Sequence, residues 1–158
     1  MAINFFSPIC ITNTIESIFG IIDTPPATLI FDDAENWIAW VDNHNEINVT
    51  FTAVDKCLNI PRAEGERCEA ILTYDNAIIF VELKDRDGGR WAGKARSQLE
   101  NTIKLFKRDA DIAAYIRHYA HIANKQRPNF KSGGASFSEQ FENNTGFVLR
   151  VSDVIVIK

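Results

Sequence analysis

The chain has 158 residues, of which 46% are hydrophobic, 24% charged and 11% aromatic, with a net charge of −4. That suits one globular domain with a real core, here taken as residues 1–158. No apolar run reaches the eighteen or so residues that span a bilayer, so no membrane-spanning helix is expected.

The charge is uneven along the chain. Residues 1–60 hold eight acidic side chains and one basic one, Lys56, whereas residues 61–108 hold ten basic and eight acidic. The acidic excess lies in the first third, and local fields rather than the total decide what approaches a cleft. The start, MAINFFSPIC, lacks the basic residues and small-residue cleavage site of a signal peptide. Cys10, Cys57 and Cys68 are odd in number and lack metal-site spacing. They predict free thiols in a reducing cytoplasm rather than a disulfide.

In chain order, Ser7-Pro8 predicts a helix start and Gly20 its stop, giving a helix over 8–19. Its isoleucines and threonines are poor helix formers. Thr24-Pro25-Pro26 is a break. The stretch 27–42, with WIAWV, reads equally as strand or buried helix. INVTFTAVD (47–55) alternates apolar and polar residues, the mark of a half-buried strand. After a polar loop (59–67), two apolar strands, 68–74 and 77–84, meet at a turn on Asp75-Asn76. DRDGGR (85–90) is a loop. From Trp91 to Phe106, Trp91, Ala95, Leu99, Thr102, Ile103 and Phe106 share one helical face. A short helix continues through DADIAAYIR, and 118–124 is a strand. KQRPNFKSGGAS is a basic loop, and the tail GFVLRVSDVIVIK gives one or two strands. The class is α+β.

The hairpin carries the chemistry. A two-residue turn at 75–76 makes opposed positions sum to 151, so Tyr74 faces Ala77, Leu72 faces Ile79 and Glu69 faces Glu82. Opposed side chains share a face about 5 Å apart, and Glu82 and Lys84 share it by the period of two. Two facing carboxylates repel unless something positive lies between them. Lys84 in a closed ion-pair triad is one answer. A hard divalent cation is the other, since Mg²⁺ takes one or two carboxylates plus water and phosphate oxygens.

Other polar residues have simpler readings. Asp55 closes strand 47–55 and suits a turn cap better than catalysis. Asp75 serves the turn, Glu64 and Glu66 are solvated, and His118 and His121 are structural. Trp37, Trp40, Phe51 and Phe80 belong to the core.

Taken together, Glu69 in RCEAIL, Glu82-Leu83-Lys84 in IIFVELK and Gln98 in KARSQLENTI resemble the PD-(D/E)xK nuclease superfamily. Its pattern is an acid at a strand start, a hairpin into Asp/Glu-x-Lys, and a helix carrying glutamine. The resemblance covers about 47–124, leaving an acidic N-terminal lead (1–46) and a basic loop with a β-rich tail (125–158). Glu69 stands where the family usually has Asp, and Cys68 where it has Pro.

The resemblance implies a restriction-endonuclease-like core, a central mixed sheet flanked by helices. It implies an Mg²⁺- or Mn²⁺-dependent nuclease hydrolysing phosphodiester bonds, most often in DNA. Glu69 and Glu82 would hold the metal, Lys84 would position or activate water, and Gln98 would support the site. Lys94, Arg96, Arg117, Lys125, Arg127 and Lys131 would line a phosphate-binding face. A homodimer would let such an enzyme cut both strands. The alternative is an inactive nuclease-fold module of the immunity or inhibitor kind, binding a protein partner through its acidic first third.

Overall fold

A computed structural model describes residues 2–126 and 134–158. The elements in chain order are β1 (Ile11–Thr14), β2 (Ile18–Asp23), β3 (Ala27–Ile30), β4 (Ala39–Asp42) and β5 (Val49–Ala53). Then follow β6 (Ala70–Tyr74), β7 (Ala77–Lys84), α1 (Trp91–Asp109), β8 (Arg117–Asn124), α2 (Gly134–Thr145), β9 (Val148–Val151) and β10 (Val154–Val156). The protein is α+β.

Two mixed sheets are stacked. The larger runs β1-β5-β6-β7-β8-β9, the smaller β10-β4-β2-β3. In the larger sheet β5, β6 and β7 form an antiparallel meander, after which β8 and β9 lie parallel to their neighbours. Parallel pairing needs a crossover, and α1 and α2 supply the two crossovers. Both helices cover one face of the large sheet, and the small sheet covers the other.

β7 sits between these layers. Ile78 and Phe80 join the helix-side core with Leu99, Ile103 and Phe106. Ile79, Val81 and Leu83 join the second core with Phe19, Val41 and Phe51. A strand buried on both faces needs a continuous apolar run, which explains AIIFVELK. The hairpin register matches the count from sequence from Tyr74 on Ala77 to Ala70 on Val81, where the ladder ends; the expected pairing of Glu69 with Glu82 is not part of it. Asp75 turns the chain at φ 49°, a left-handed conformation that Asp tolerates.

α1 buries Trp91, Ala95, Leu99, Thr102, Ile103 and Phe106, with Leu105 added. It extends three residues past the expected end, to Asp109. The continuation over DADIAAYIR shrinks to a 3₁₀ turn, Ile112–Ala114. The strand expected at 118–124 is β8, and the tail forms both β9 and β10.

The expected helix over 8–19 is wrong. Pro8 opens only a 3₁₀ turn, Pro8–Cys10, and the β-branched residues beyond it form β1, paired on β5, and the start of β2. Branched side chains suit a pleated surface better than a helix. Gly20 is not a helix stop but lies inside β2, where a Cβ would come within 2.2 Å of the Trp37 ring. The ambiguous stretch 27–42 resolves into β3, a 3₁₀ turn and β4. Part of the expected basic loop, from Gly134, is the start of α2.

The cysteine reading is also corrected. Cys10 and Cys57 form a disulfide across 47 residues of sequence. Their spacing gives no signal. The pairing of β1 on β5, with Ile11 opposite Thr52, brings the two together. The argument from unpaired thiols to a reducing cytoplasm therefore falls away. Among the described residues, no helix is long and apolar enough to cross a membrane.

Candidate functional site

Three elements converge on one end of the large sheet, opposite the Asp75-Asn76 turn. β7 delivers Glu82 and Lys84 on its helix-facing side. Glu69 lies just before β6, outside the paired register: its N–H donates to the Val81 carbonyl at 3.1 Å although Ala70 is Val81's partner, and its carbonyl accepts from Val54 N–H at 2.9 Å. α1 brings Gln98 from above.

The start of β6 is tied to α1 by Thr102. Its hydroxyl accepts from Cys68 N–H at 2.7 Å and donates to the Gln98 carbonyl at 2.7 Å. One side chain thus fixes the backbone next to Glu69 and the helix turn that holds Gln98. The sequence placed Thr102 on the buried helix face but gave no sign of this role. Asn124, at the end of β8, was missed altogether. Its amide bonds both the N–H and the carbonyl of Arg86, and Lys125 N–H donates to the Lys84 carbonyl. The loop leaving Lys84 is thereby pinned to the adjacent strand.

Within this frame, Lys84 Nζ lies 3.1 Å from Glu82 Oε2 and donates to Gln98 Oε1 at 2.7 Å. Glu82 is 1% exposed and Glu69 7%. The ammonium therefore pairs with one carboxylate of the two, and the closed triad does not form. Glu69 Oε2 and Glu82 Oε1 are buried with no hydrogen-bond partner. Buried polar atoms are nearly always satisfied, and a charged exception is costly.

The electrostatics follow. Burial pushes the Glu69 carboxyl up to about 8, reinforced by Glu82, Asp23 and Asp55 and opposed by Lys84. Burial also raises Glu82, to about 7, against the charge and hydrogen bond of Lys84 and the backbone N–H of Glu69. Left alone at neutral pH, the pair retains a proton because two desolvated like charges cannot both ionise cheaply. Asp55, read as a turn cap, lies close enough to act on both glutamates.

A hard cation fits the donor set. The two orphaned oxygens are carboxylate oxygens, the kind that Mg²⁺ and Mn²⁺ prefer. Yet the described residues contain no group of three or more His, Cys, Asp or Glu arranged to hold a metal ion. Protein ligation would rest on two carboxylates, with the remaining positions left for water and substrate oxygens.

The basic residues divide. Lys94, exposed in the first turn of α1, and Lys125, after β8, stand at the site's end of the sheet. Arg117 does not. It pairs with Ala77, while Lys84 pairs with Asn124; seven residues of strand separate the two, roughly 23 Å. Its guanidinium is spent on Asn76 and the Lys158 carbonyl. Arg96 binds Glu100 and Gln140 and covers the Phe137 ring, holding α2 against α1. Arg127 and Lys131 lie outside the described residues.

The remaining polar residues mostly keep their readings. His118 bonds the Tyr115 carbonyl and His121 the Ser152 carbonyl. Glu64, expected to be solvated, pairs with Arg108 at 2.6 Å. Trp37, Phe51 and Phe80 are buried, and Trp40 is half-buried against Trp37.

No protein-family model matches this chain, and neither curated proteins nor solved structures contain a significant match to it.

Proposed function

We propose that this protein is a divalent-metal-dependent nuclease of the PD-(D/E)xK type, hydrolysing phosphodiester bonds, most readily in DNA. The observation that carries the reading is the two buried, unpartnered carboxylate oxygens on Glu69 and Glu82, the second residue ion-paired with Lys84. The topology supports it as well: a meander of β5, β6 and β7, a crossover helix bearing Gln98, then parallel β8. That order suits a restriction-endonuclease-like core, with the added small sheet on the face away from the helices.

Glu69 and Glu82 would hold Mg²⁺ or Mn²⁺. Bound there, a divalent cation supplies Lewis-acid polarisation of a phosphate oxygen and lowers the pKa of a coordinated water. The chain's own groups do the rest. Gln98 Oε1 accepts a hydrogen bond from the Lys84 ammonium and Glu82 engages it from a second side, so the amine's direction is fixed. The ammonium is then placed to orient a nucleophilic water or to offset charge that grows on the phosphoryl oxygens. Thr102 and Asn124 keep the strand ends and α1 in register. Lys94 and Lys125 contribute phosphate contacts at the rim.

A second reading draws on the same electrostatics. Because the pair can keep a proton and Lys84 compensates the remaining charge, the fold does not require a cation. It then serves as a protein-binding module, with the acidic residues of the first third as its docking surface.

Plasmid cleavage in Mg²⁺ or Mn²⁺ separates the two. The nuclease reading expects cleavage by the wild type that is lost in Lys84→Ala. Equal rates in the two proteins refute it. No cleavage and no cation binding, with a stoichiometric protein partner recovered from the native host, supports the binding module.

A further inference from the structure

A second concave site lies on the face of the large sheet away from the helices, where β10 of the small sheet meets β8 and β9. It is a pocket of about 290 Å³. That is near the lower end of the roughly 300–1,000 Å³ range that holds small ligands, so it admits one or two rings and not a polymer.

Its floor is apolar: Ile79 and Ile155 are 3% and 1% exposed. Its walls carry two tyrosines, Tyr74 and Tyr119, with Arg150 among the lining residues. Arg150 lies over the Tyr119 ring at 5.6 Å, and Arg117, behind the wall, lies over the Tyr74 ring at 5.5 Å. Arg150 has no ion-pair partner among the described residues, although the protein as a whole is acidic. Among the described residues no Asp or Glu side chain lines the pocket, whereas Lys158 does.

His121 completes it. The ring is 4% exposed, and Nε2 lies 2.8 Å from the Ser152 carbonyl. A carbonyl only accepts, so Nε2 carries the proton and Nδ1 is the acceptor. Burial holds the imidazole down to about 4, so the ring is neutral at physiological pH. The pocket combines an apolar floor, flat aromatic walls, a neutral imidazole and a guanidinium without an ion-pair partner among the described residues. Arg is suited to planar anions through its fork of donors and its stacking face.

We propose that this pocket binds a small planar organic anion, with its one or two rings against Ile79, Ile155 and the tyrosines and its acid group on Arg150. The site is independent of Glu69 and Glu82. Neither residue is among those that line the pocket, so the nuclease reading can fail without touching this one.

Calorimetric titration of the whole chain tests it with four probes. Adenosine monophosphate and indole-3-acetate carry a ring with a phosphate or a carboxylate; adenosine carries the ring alone and inorganic phosphate the anion alone. At least one ring-bearing anion is expected to bind with 1:1 stoichiometry, and adenosine and phosphate at least tenfold more weakly. Which anion wins tells a phosphate ligand from a carboxylate one. Arg150 is exposed, so Arg150→Gln should fold normally and weaken the bound probe at least tenfold. Glu82→Gln should leave that affinity unchanged. The proposal is overturned if neither ring-bearing anion binds, or if Arg150→Gln binds it as tightly as the wild type.

Discussion

Glu69 and Glu82 lie close enough for their charges to interact, and each buries one carboxylate oxygen without a partner. Of the two, Lys84 ion-pairs only with Glu82. A folded domain that tolerates such a pair at its sheet end carries a local cost, and that cost has measurable consequences.

The first concerns pH. Both glutamates have raised values in the fold, to about 8 and about 7, against an ordinary value of 4.5. The native state therefore binds more protons than the unfolded chain between these limits, and stability must fall as pH rises from about 4.5 through about 8. Glu69→Gln removes the charge and should flatten this slope, raising stability at pH 8 by about 1–3 kcal/mol. Urea unfolding at pH 5, 6.5 and 8 without divalent cations measures it. A wild-type stability that rises over this interval contradicts the electrostatics.

Cation binding should be coupled to the same protons. Ligating carboxylates must be deprotonated, so Mn²⁺ affinity is expected to strengthen between pH 6 and pH 8, by roughly tenfold per unit for each proton displaced. Calorimetry in buffers of different ionisation enthalpy counts the protons released. Binding that is independent of pH would exclude Glu69 and Glu82 as the ligands.

Lys84 and Gln98 should separate in effect. Lys84→Ala is expected to lower the cleavage rate by about 10²-fold or more, in the range of losing one transition-state contact, while Mn²⁺ still binds. Gln98→Ala leaves the ammonium in place but frees its direction, so a smaller loss is expected in single-turnover kinetics. Arg117→Gln, at the far end of the sheet, should leave cleavage unchanged.

Thr102 offers a test of the frame alone. Thr102→Val keeps the shape and strands the buried Cys68 N–H, at a cost of about 1–3 kcal/mol. The shift in urea midpoint should appear without any cation present.

The disulfide gives a chemical check. A thiol reagent should find no cysteine in the native, unreduced protein and one, Cys68, after unfolding, because Cys10 and Cys57 are paired and Cys68 is buried. Cys57→Ser should cost about 2–4 kcal/mol.

The parts of this fold that were legible in sequence are those with strong local patterns. The β6–β7 register over 70–81 followed from one two-residue turn, and the α1 face from three- and four-residue steps, so Glu82, Lys84 and Gln98 could be brought together by counting. What escaped depends on long-range pairing. β1 needs β5 to be a strand, and Ile11–Thr14 alone reads as a poor helix. The Cys10–Cys57 pairing follows from that ladder, not from spacing. Asn124 and Thr102 act through single side-chain bonds to distant backbone, which leave no periodic trace. Arg117 and Arg96 are engaged within the fold, which escaped for a related reason: charge is visible in a sequence, but the partner that meets it is not.

The most direct measurement of the central claim is Mn²⁺ anomalous scattering from crystals of the protein soaked at pH 8. The account predicts a peak within bonding distance of both Glu69 Oε2 and Glu82 Oε1, absent in Glu82→Gln. A soaked crystal with both carboxylates intact and no peak between them would contradict it.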